Sequence, residues 1–329
     1  MSAVLAVEGL TVRLAAYPDQ SSILDDVSFT VSPGEVLGIV GESGSGKSML
    51  ALSVMGLLPP ALRMQARRIA VAGDDLAGQP REAWRAHRGR DMAMIFQEPM
   101  TSLNPVMRIG TQIGEVLRWR GGMNAAAARR RSLELLEQVE IPSPRNRLDA
   151  FPHELSGGMR QRVMIAIALA ASPKLLIADE PSTALDVTVQ AQILDLLRGL
   201  QRQSGLSLIL ITHDLGVIAE IADRVMVLYA GRVAEMAPVR TIFDAPAHPY
   251  TQVLLASIPD IAGRRTRLAT IPGTVPGAMD MPPGCRFAPR CAYRQAPCEQ
   301  APPAMRPLSP DHAVSCLRAF GELPVGAPA

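Results

Sequence analysis

The sequence lacks cysteine over its first 284 residues, and it has no long apolar segment. No stretch of about eighteen residues runs without a charge or a proline, which argues against a membrane-spanning helix. The nearest candidate, residues 163–171, ends at a Ser-Pro-Lys sequence. Residues 1–4 contain no basic region ahead of an apolar one, so no signal peptide is evident. We therefore expect a cytoplasmic protein that reaches a membrane only through partners.

The chain also lacks a marked excess of either charge. Its formal net charge of +2 argues weakly against a dedicated nucleic-acid-binding protein, because such a protein usually carries a basic face. A length of 329 residues is enough for one large hydrophobic core and a second, smaller unit. Composition therefore sets bounds on the class of protein but does not indicate its chemistry.

A glycine-rich segment between an apolar run and a helix-forming run carries the first chemical signal. Its glycines let backbone N–H groups approach a phosphate without a Cβ atom in the way, and the helix N-terminus adds a partial positive charge. Lys47 can then reach the β- and γ-phosphates, and the Ser48 hydroxyl can bind Mg²⁺. A surface turn is the simpler alternative, but the full pattern predicts a nucleoside triphosphate site. The segment reads Gly41-Glu42-Ser43-Gly44-Ser45-Gly46-Lys47-Ser48.

Polar side chains follow three apolar runs that we predict to be core strands. They are Gln97, the pair Asp179 and Glu180, and His213. The carboxyl ends of strands in an open α/β sheet face the ligand crevice, so we expect these side chains to converge there. Asp179 would hold Mg²⁺, and Glu180 would polarise the attacking water as a general base. Gln97 or His213 alone would be read as an ordinary strand-end residue.

The composition changes over residues 98 to about 155, and the helix-forming residues there predict a helical insertion. The insertion closes at Ser156, which suits a helix N-cap, and at two glycines, Gly157 and Gly158, that expose backbone N–H groups there. A simple capping turn would explain these three residues, but their exposed N–H groups also form a second candidate anion site. Asp186 opens the next helix.

Residues 1–40 alternate short apolar runs with turns, which predicts antiparallel strands leading into the nucleotide-binding strand. Tyr17 lies in a loop between them. Its ring could stack on an adenine, as aromatic side chains do on bases, or it could be an ordinary half-exposed tyrosine. The residue alone leaves both readings open.

These motifs, in this order and spacing, resemble those of the ATP-binding-cassette (ABC) ATPases over residues 1 to about 240. The resemblance implies an α/β fold of the phosphate-loop NTPase type, with a RecA-like core, an antiparallel β subdomain and a helical subdomain at about 98–160. The matching motifs are Walker A at 41–48, the Q-loop Gln97, the signature at 155–159, Walker B at 175–179, the catalytic Glu180, the D-loop Asp186, the H-loop His213 and the A-loop Tyr17.

The family resemblance also implies the roles of these residues. Two cassettes sandwich two ATP molecules, so an isolated chain should be nearly inactive. The residues implied to contact the partner's ATP are Ser156, Gly157, Gly158 and Asp186. Those implied to bind ATP in the same chain are Tyr17 and all eight residues of Walker A, and those implied in catalysis are Glu180, His213 and Gln97. The implied Mg²⁺ contacts are Ser48, Gln97 and Asp179.

Within the ABC ATPases, the sequence is similar to the dipeptide/oligopeptide/nickel importer class. In that class it resembles the first of the two non-identical ATPase subunits. This similarity is carried by residues 96–105, 151–155, 159–162, 248–251 and 257–259. It implies an ATP-hydrolysing subunit that powers import of peptides or a related small solute. The implied partners are a second ATPase subunit, expected to be a paralogue, two transmembrane permease subunits and an extracytoplasmic solute-binding protein, without nucleic acid. The chain would lie peripherally on the cytoplasmic face of the inner (plasma) membrane.

All the cysteines lie in the proline-rich segment that follows residue 240. They are Cys285, Cys291, Cys298 and Cys316. An even number in a cytosolic chain favours metal binding over disulfides, but the spacing lacks the CxxC knuckles of structural zinc. Spacing alone therefore leaves zinc, an iron–sulfur cluster and free thiols open. Arg286, Arg290 and Arg294 lie close by in sequence and would offset the charge of four thiolates.

Residues 284–291 resemble the C-terminal domain of peptide-importer ATPases, in which four cysteines are associated with a 4Fe-4S cluster. The resemblance thus implies a small domain at 241–329 that holds such a cluster, with zinc as the less favoured alternative. Its role, structural or regulatory, is left open.

Two other functions are weighed against transport. A soluble ABC ATPase of translation or DNA repair would resemble tandem cassettes or carry a long coiled-coil insertion, whereas this chain has one Walker A motif and an insertion of about sixty residues. A phosphate-loop kinase would lack both the signature motif and the strand-end histidine. Transport is therefore the function that we expect.

Overall fold

The computed structural model describes residues 2–17, 22–97, 102–182, 186–257, 271 and 273–323. The chain divides into two compact units, each assembled from separate segments. The first unit comprises Met1–Leu5, Val31–Glu35 and Ala70–Ile209, and the second comprises Ala6–Thr30, Val36–Ile69 and Leu210–Ala329. Because these units do not follow chain order, the domain boundary near residue 240 stays a prediction.

Strands and α-helices are numbered separately, each in chain order. The strands are β1 Leu5–Leu14, β2 Leu24–Val31, β3 Val36–Val40, β4 Leu62–Gln65, β5 Arg68–Val71, β6 Asp74–Asp75, β7 Met92–Ile95, β8 Leu175–Asp179, β9 Ser207–Ile211, β10 Arg224–Tyr229, β11 Arg232–Pro238, β12 Arg306–Ser309 and β13 His312–Val314. The α-helices are α1 Lys47–Val54, α2 Arg81–His87, α3 Ile109–Gly121, α4 Ala125–Gln138, α5 Pro144–Arg147, α6 Gly157–Leu169, α7 Val187–Ser204, α8 Leu215–Ile221, α9 Val239–Asp244, α10 Pro249–Ala256 and α11 Pro297–Gln300. Short 3₁₀ turns lie at Pro152–Glu154, Ala288–Arg290 and Arg318–Phe320.

The burial of the strands explains why the sequence predicts two kinds of sheet. Strands β3, β8 and β9 are buried at every position, and their sequences are almost continuously apolar. Strand β2 instead alternates buried residues with more exposed ones. A strand covered on both faces needs a continuous apolar run, whereas a strand with one wet face needs alternation.

In the first unit, β7 pairs in parallel with β8, from Met92 opposite Leu175 to Ile95 opposite Ala178. Strand β9 begins on the other side of β8. Two strands that run in the same direction end at the same edge, so the residues that follow β7 and β8 are brought close to each other. This edge carries Gln97 and Glu180.

The helical part of the first unit lies between β7 and β8 in the chain. Helices α3 and α4 pack against each other, and both contact α6. Asn124 is the N-cap residue of helix α4, and its side chain accepts a hydrogen bond from the backbone N–H of Ala127. Helices α3 and α4 fall within the segment 98–160 that the sequence predicts to be helical, whereas α6 begins in that segment and continues to Leu169.

In the second unit, the strand order is β12-β13-β11-β10-β3, with β10 parallel to β3 and antiparallel to β11. Strand β13 pairs with β11 through Glu235 opposite Val314 and Met236 opposite Ala313. The hairpin of β12 and β13 thus extends the sheet that contains β3. Strand β1 lies beside β2 and pairs antiparallel with β4 in a separate sheet. Among the described residues, none of the helices combines the length and hydrophobicity needed to cross a bilayer.

Candidate active site

The loop at residues 41–48 joins β3 to α1 in the second unit. A Cβ atom at Gly41 would collide with the carbonyl oxygen of Leu228, so this position has no room for a side chain. Gly44 has a φ of 81°, a conformation that residues with a Cβ atom rarely adopt. The course of the loop therefore depends on its glycines.

Lys47 is the first residue of α1 and is only 6% exposed. Its ammonium group donates hydrogen bonds to the carbonyl oxygens of Gly41 at 2.7 Å and Glu42 at 3.0 Å. The Ser45 hydroxyl is buried in the same loop and has no hydrogen-bond partner in the part of the chain that the structure describes. Because an unsatisfied buried hydroxyl is costly, a phosphate oxygen is a partner that fits this position.

Two residues from the C-terminal part of the chain hold this loop. The backbone N–H of Glu42 donates to the hydroxyl of Tyr250 at 2.8 Å. The Glu42 carboxylate accepts hydrogen bonds from both terminal nitrogens of Arg290, at 2.6 and 3.0 Å. The local sequence gives no signal for this pair, because its members lie 248 positions apart.

The arginines near the cysteines have carboxylate partners. From sequence, Arg286, Arg290 and Arg294 are expected to offset thiolate charge. In the structure, Arg290 pairs with Glu42, Arg286 with Asp25 at 3.1 Å and Arg294 with Glu299 at 3.0 Å. Burial raises the pKa of Cys291 and of Cys316, and the charge of Arg318, a residue that the sequence analysis does not single out, acts against this rise.

The acidic half of the predicted site lies in the first unit. The side-chain amide of Gln97 donates to the Glu180 carboxylate at 3.2 Å. Asp179 is the last residue of β8 and is 4% exposed. Glu180 has a φ of 46°, which is uncommon for a residue other than glycine. Strained backbone of this kind occurs at functional sites as well as in turns, so the conformation agrees with a functional role for Glu180.

His213 follows β9 and is exposed, and it belongs to the second unit. The next residue, Asp214, caps α8 by accepting hydrogen bonds from the backbone N–H groups of Gly216 at 2.8 Å and Val217 at 3.3 Å. The backbone that leaves His213 is therefore fixed by a helix start. That the loop and His213 converge with the acidic half stays a prediction.

The predicted signature residues begin helix α6. The Ser156 hydroxyl accepts a hydrogen bond from the backbone N–H of Met159 at 3.3 Å. Gly158 is packed so closely that a Cβ atom there would lie 2.7 Å from a methyl carbon of Val189 in α7. Asp186 caps α7 by accepting from the N–H of Val189 at 3.0 Å. Two helix starts thus lie side by side in the first unit, each with its N-cap residue.

Tyr17 is 50% exposed, so the structure leaves open both readings of its ring. Parts of the segments that carry the family resemblance lie outside the described residues. They are 98–101 after the Q-loop glutamine, 183–185 before Asp186, and 258–259.

The four cysteines are not bonded to each other, and together they line one cavity in the second unit. Burial raises the pKa of the Cys285 thiol to about 11, and it also raises the pKa of Cys291 and Cys316. Backbone hydrogen bonds act in the opposite direction: Cys285 accepts from Phe287, Cys291 from Tyr293, and Cys316 from Arg318 and Ala319. Hydrogen bonds of this kind stabilise thiolates and metal-bound sulfur.

The geometry of the cysteine cavity does not match a loaded metal centre. Its volume of about 20 Å³ suits one water molecule, not an iron–sulfur cluster. Among the described residues, no three histidine, cysteine, aspartate or glutamate side chains are grouped as metal ligands. The described residues therefore do not show a 4Fe-4S cluster, and the cluster stays a prediction.

Comparison with known proteins identifies the class of protein. Residues 24–183 match the family model described as "ABC transporter". The dimeric structure of the ATP-binding cassette MJ0796, in a post-hydrolysis state bound to ADP and Pi, superposes with a TM-score of 0.63 at 26% identity, covering 72% of this chain and 99% of that one. CbiO1 from Clostridium perfringens, part of the ABC transporter complex cbiONQ, gives 0.62 at 27% identity over 74% and 92%. The fold is that of an ABC ATPase, as the sequence predicts.

Proteins that are similar in sequence show to which branch of the ABC transporter ATPases the chain belongs. Residues 234–298 match the model "Oligopeptide/dipeptide transporter, C-terminal region". The dipeptide transport ATP-binding protein DppD of Escherichia coli (strain K12) is 48% identical over 314 residues, which is 95% of this chain and 96% of that protein. A Brucella abortus (strain 2308) protein with the provisional name peptide import ATP-binding protein is 50% identical over 302 residues, 92% and 91% of the two chains. The chain belongs to the ABC transporter ATPases, in the oligopeptide/dipeptide transporter branch.

Proposed function

We propose that this chain is the ATP-hydrolysing subunit that powers import of peptides, or of a related small solute, through an ABC transporter. The observation that carries the proposal is the 48% identity to a dipeptide transport ATP-binding protein over nearly the whole length of both chains. The similarity includes the C-terminal region as well as the ATPase core. A role in translation or DNA repair is not favoured, because neither the relatives nor the C-terminal region point to it.

Nucleotide binding is proposed for the loop at 41–48. Its backbone N–H groups other than that of Glu42, together with the buried Ser45 hydroxyl, would hold phosphate oxygens, and Lys47 would turn from the loop carbonyls toward the β- and γ-phosphates. Tyr17 would stack on the adenine ring. The compact loop, the Ser45 hydroxyl and the buried Lys47 support these roles.

Hydrolysis is proposed for the strand-end residues. Glu180 would take a proton from the attacking water, Gln97 would orient its carboxylate, and His213 would contact the γ-phosphate. The oxygen donors of Ser48, Gln97 and Asp179 suit Mg²⁺, which prefers hard oxygen ligands. Bound Mg²⁺ neutralises charge on the phosphates. The hydrogen bond from Gln97 to Glu180 supports the pairing of these two residues.

A second ATPase subunit is proposed to complete each site. The signature and D-loop residues, which start helices α6 and α7, would contact ATP held by the other subunit. They are Ser156, Gly157, Gly158 and Asp186. The other proposed partners are two permease subunits and an extracytoplasmic solute-binding protein, with this chain on the cytoplasmic face of the membrane. The dimeric state of a similar cassette supports this arrangement.

A 4Fe-4S cluster held by the four cysteines is the remaining part of the proposal, with zinc as the less favoured alternative. Its support is that all four thiols line one cavity and that three of them accept backbone hydrogen bonds. The cavity walls would have to move apart to admit it. Anaerobically purified protein should then be brown and contain iron and sulfide. Colourless protein with stoichiometric zinc would count against the cluster.

The transport function is tested by co-expressing the chain with the two permease subunits and the second ATPase subunit that are proposed as its partners. We expect co-purification of one complex whose ATPase activity in liposomes rises when a peptide-loaded binding protein is added. The same complex carrying Lys47→Ala in this chain is the control for ATP use by this subunit. A chain that purifies without any membrane subunit and responds to no peptide would contradict the function.

A further inference from the structure

The contact between Arg290 and Glu42 joins the C-terminal segment to the phosphate-binding loop within the second unit. The Arg290 side chain is 6% exposed and that of Glu42 is 28% exposed, so both groups are largely removed from water. Both terminal nitrogens of Arg290 contact the carboxylate, which is the two-pronged geometry of a strong pair. Such a buried pair differs from a surface ion pair, whose contribution is small.

Further contacts fix Arg290 in place. Its guanidinium group also donates to the Tyr229 hydroxyl at 3.3 Å and to the carbonyl oxygen of Ile271 at 3.2 Å. The Tyr229 ring packs edge-on against Tyr250, with ring centres 4.6 Å apart. Tyr250 in turn accepts the hydrogen bond from the Glu42 backbone. Side chain and backbone of Glu42 are therefore held by one connected group of C-terminal residues.

The position of Glu42 explains why its contact with Arg290 matters for nucleotide binding. Glu42 is a carboxylate inside the loop that we propose to bind a triphosphate, and like charges at short range repel each other. A positive group at the carboxylate removes most of that repulsion. The backbone N–H of Glu42 is occupied by Tyr250, so it shapes the loop and is not a free phosphate donor.

We infer that Arg290 is a positioning residue of the nucleotide site: from the C-terminal segment it neutralises Glu42 and holds the phosphate-binding loop in the conformation that accepts ATP. The inference rests on the proposed nucleotide site at 41–48. It gives the C-terminal segment a role in ATP binding that acts through Glu42, and it places that role immediately before Cys291 in the chain.

The test compares MgATP affinity of full-length variants by isothermal titration calorimetry. Arg290→Ala should weaken binding about tenfold, the scale of a lost hydrogen-bonded charge partner, and Arg290→Lys should fall between it and the wild type. Arg294→Ala is the matched control, because Arg294 pairs with Glu299 at 3.0 Å and is half exposed. It should bind MgATP like the wild type.

A double variant separates charge from general structure. In Arg290→Ala/Glu42→Gln the repelling carboxylate is gone, so the affinity should return to that of Glu42→Gln alone. In the assembled transporter, Arg290→Ala should raise KM for ATP more than it lowers kcat. Thermal unfolding of each variant checks that it is folded.

The possible results separate a failure of the inference from a failure of the proposed function. If Arg290→Ala binds MgATP within twofold of the wild type, or if Glu42→Gln adds to its loss without rescuing it, the inference is wrong while the proposed function stands. If the wild-type chain binds no MgATP and Lys47→Ala changes nothing, the nucleotide site and the inference both fail.

Discussion

Glu180 brings three properties together at one residue. It follows a fully buried strand, its backbone has a φ of 46°, and its carboxylate accepts a hydrogen bond from Gln97. An unfavourable backbone conformation persists only where the surrounding structure holds it, and Glu180 directly follows β8, which is paired with β7 up to Ala178. The backbone conformation and the hydrogen bond from Gln97 together set the orientation of the Glu180 side chain.

The prediction at this scale concerns Glu180→Gln. The amide keeps the size of the side chain but cannot take a proton from water, so ATP binding should persist while turnover falls by ~10²–10⁴-fold. Nucleotide binding and steady-state phosphate release from the assembled transporter measure the two effects. Turnover near that of the wild type would refute the assignment of the general base.

At the scale of secondary-structure elements, the residues predicted to contact the partner subunit's ATP lie at the starts of helices α6 and α7. Ser156 begins α6 as an N-cap residue, and Asn124 does the same for α4. The two residues have the same structural role in the first unit, but only Ser156 belongs to the signature motif. They therefore form a matched pair for separating stability from ATP use.

We predict that Ser156→Ala and Asn124→Ala each lower the free energy of unfolding by about 1 kcal/mol, the usual contribution of an N-cap side chain. Only Ser156→Ala should also reduce the ATPase activity of the assembled transporter, by tenfold or more. Urea unfolding and phosphate release measure these quantities. Equal activity of the two variants would remove Ser156 from the nucleotide contacts.

A second element-scale prediction concerns Asp91, which joins the end of α2 to the starts of β7 and β8. Burial acts to raise the pKa of Asp91, but the hydrogen bonds and charges of Arg90 and Lys174 outweigh it and hold this pKa below its ordinary value. His87 contacts the same carboxylate at 3.0 Å. A lowered pKa in the folded state stabilises the protein above the pKa of the unfolded chain.

Asp91→Asn should therefore be less stable than the wild type at pH 7. The difference should shrink as the pH falls below about 4, because the unfolded wild-type chain then binds a proton at Asp91 and the folded chain does so only at lower pH. Denaturant unfolding of both proteins between pH 7 and pH 3 provides the measurement. A stability difference that stays constant over this range would show that the charge of Asp91 is not its cause.

At the scale of the whole molecule, the proposed mechanism needs two chains for each ATP. We predict that the purified chain alone at high dilution hydrolyses ATP at a small fraction of the rate in the assembled transporter. The specific activity should rise with concentration, because association supplies the second half of each site. Full activity per chain at nanomolar concentration, abolished by Lys47→Ala, would exclude a shared site.

The fold class and the motif positions can be read from the amino-acid sequence alone. Buried strands need continuous apolar runs, and a phosphate loop needs its glycines and lysine at fixed spacing, so both features are visible over a few neighbouring residues. The strand-end placement of Gln97 and Glu180 follows in the same way, since each lies at the polar end of an apolar run.

The contacts of the C-terminal part of the chain become visible only in the folded molecule. The hairpin of β12 and β13 joins the sheet of β3, and Arg290 pairs with Glu42 across 248 positions. No local pattern encodes a pair of this separation, because the path of the intervening chain sets which residues meet. For the same reason, the sequence could suggest a thiolate partner for Arg290, whereas the folded chain gave it a carboxylate.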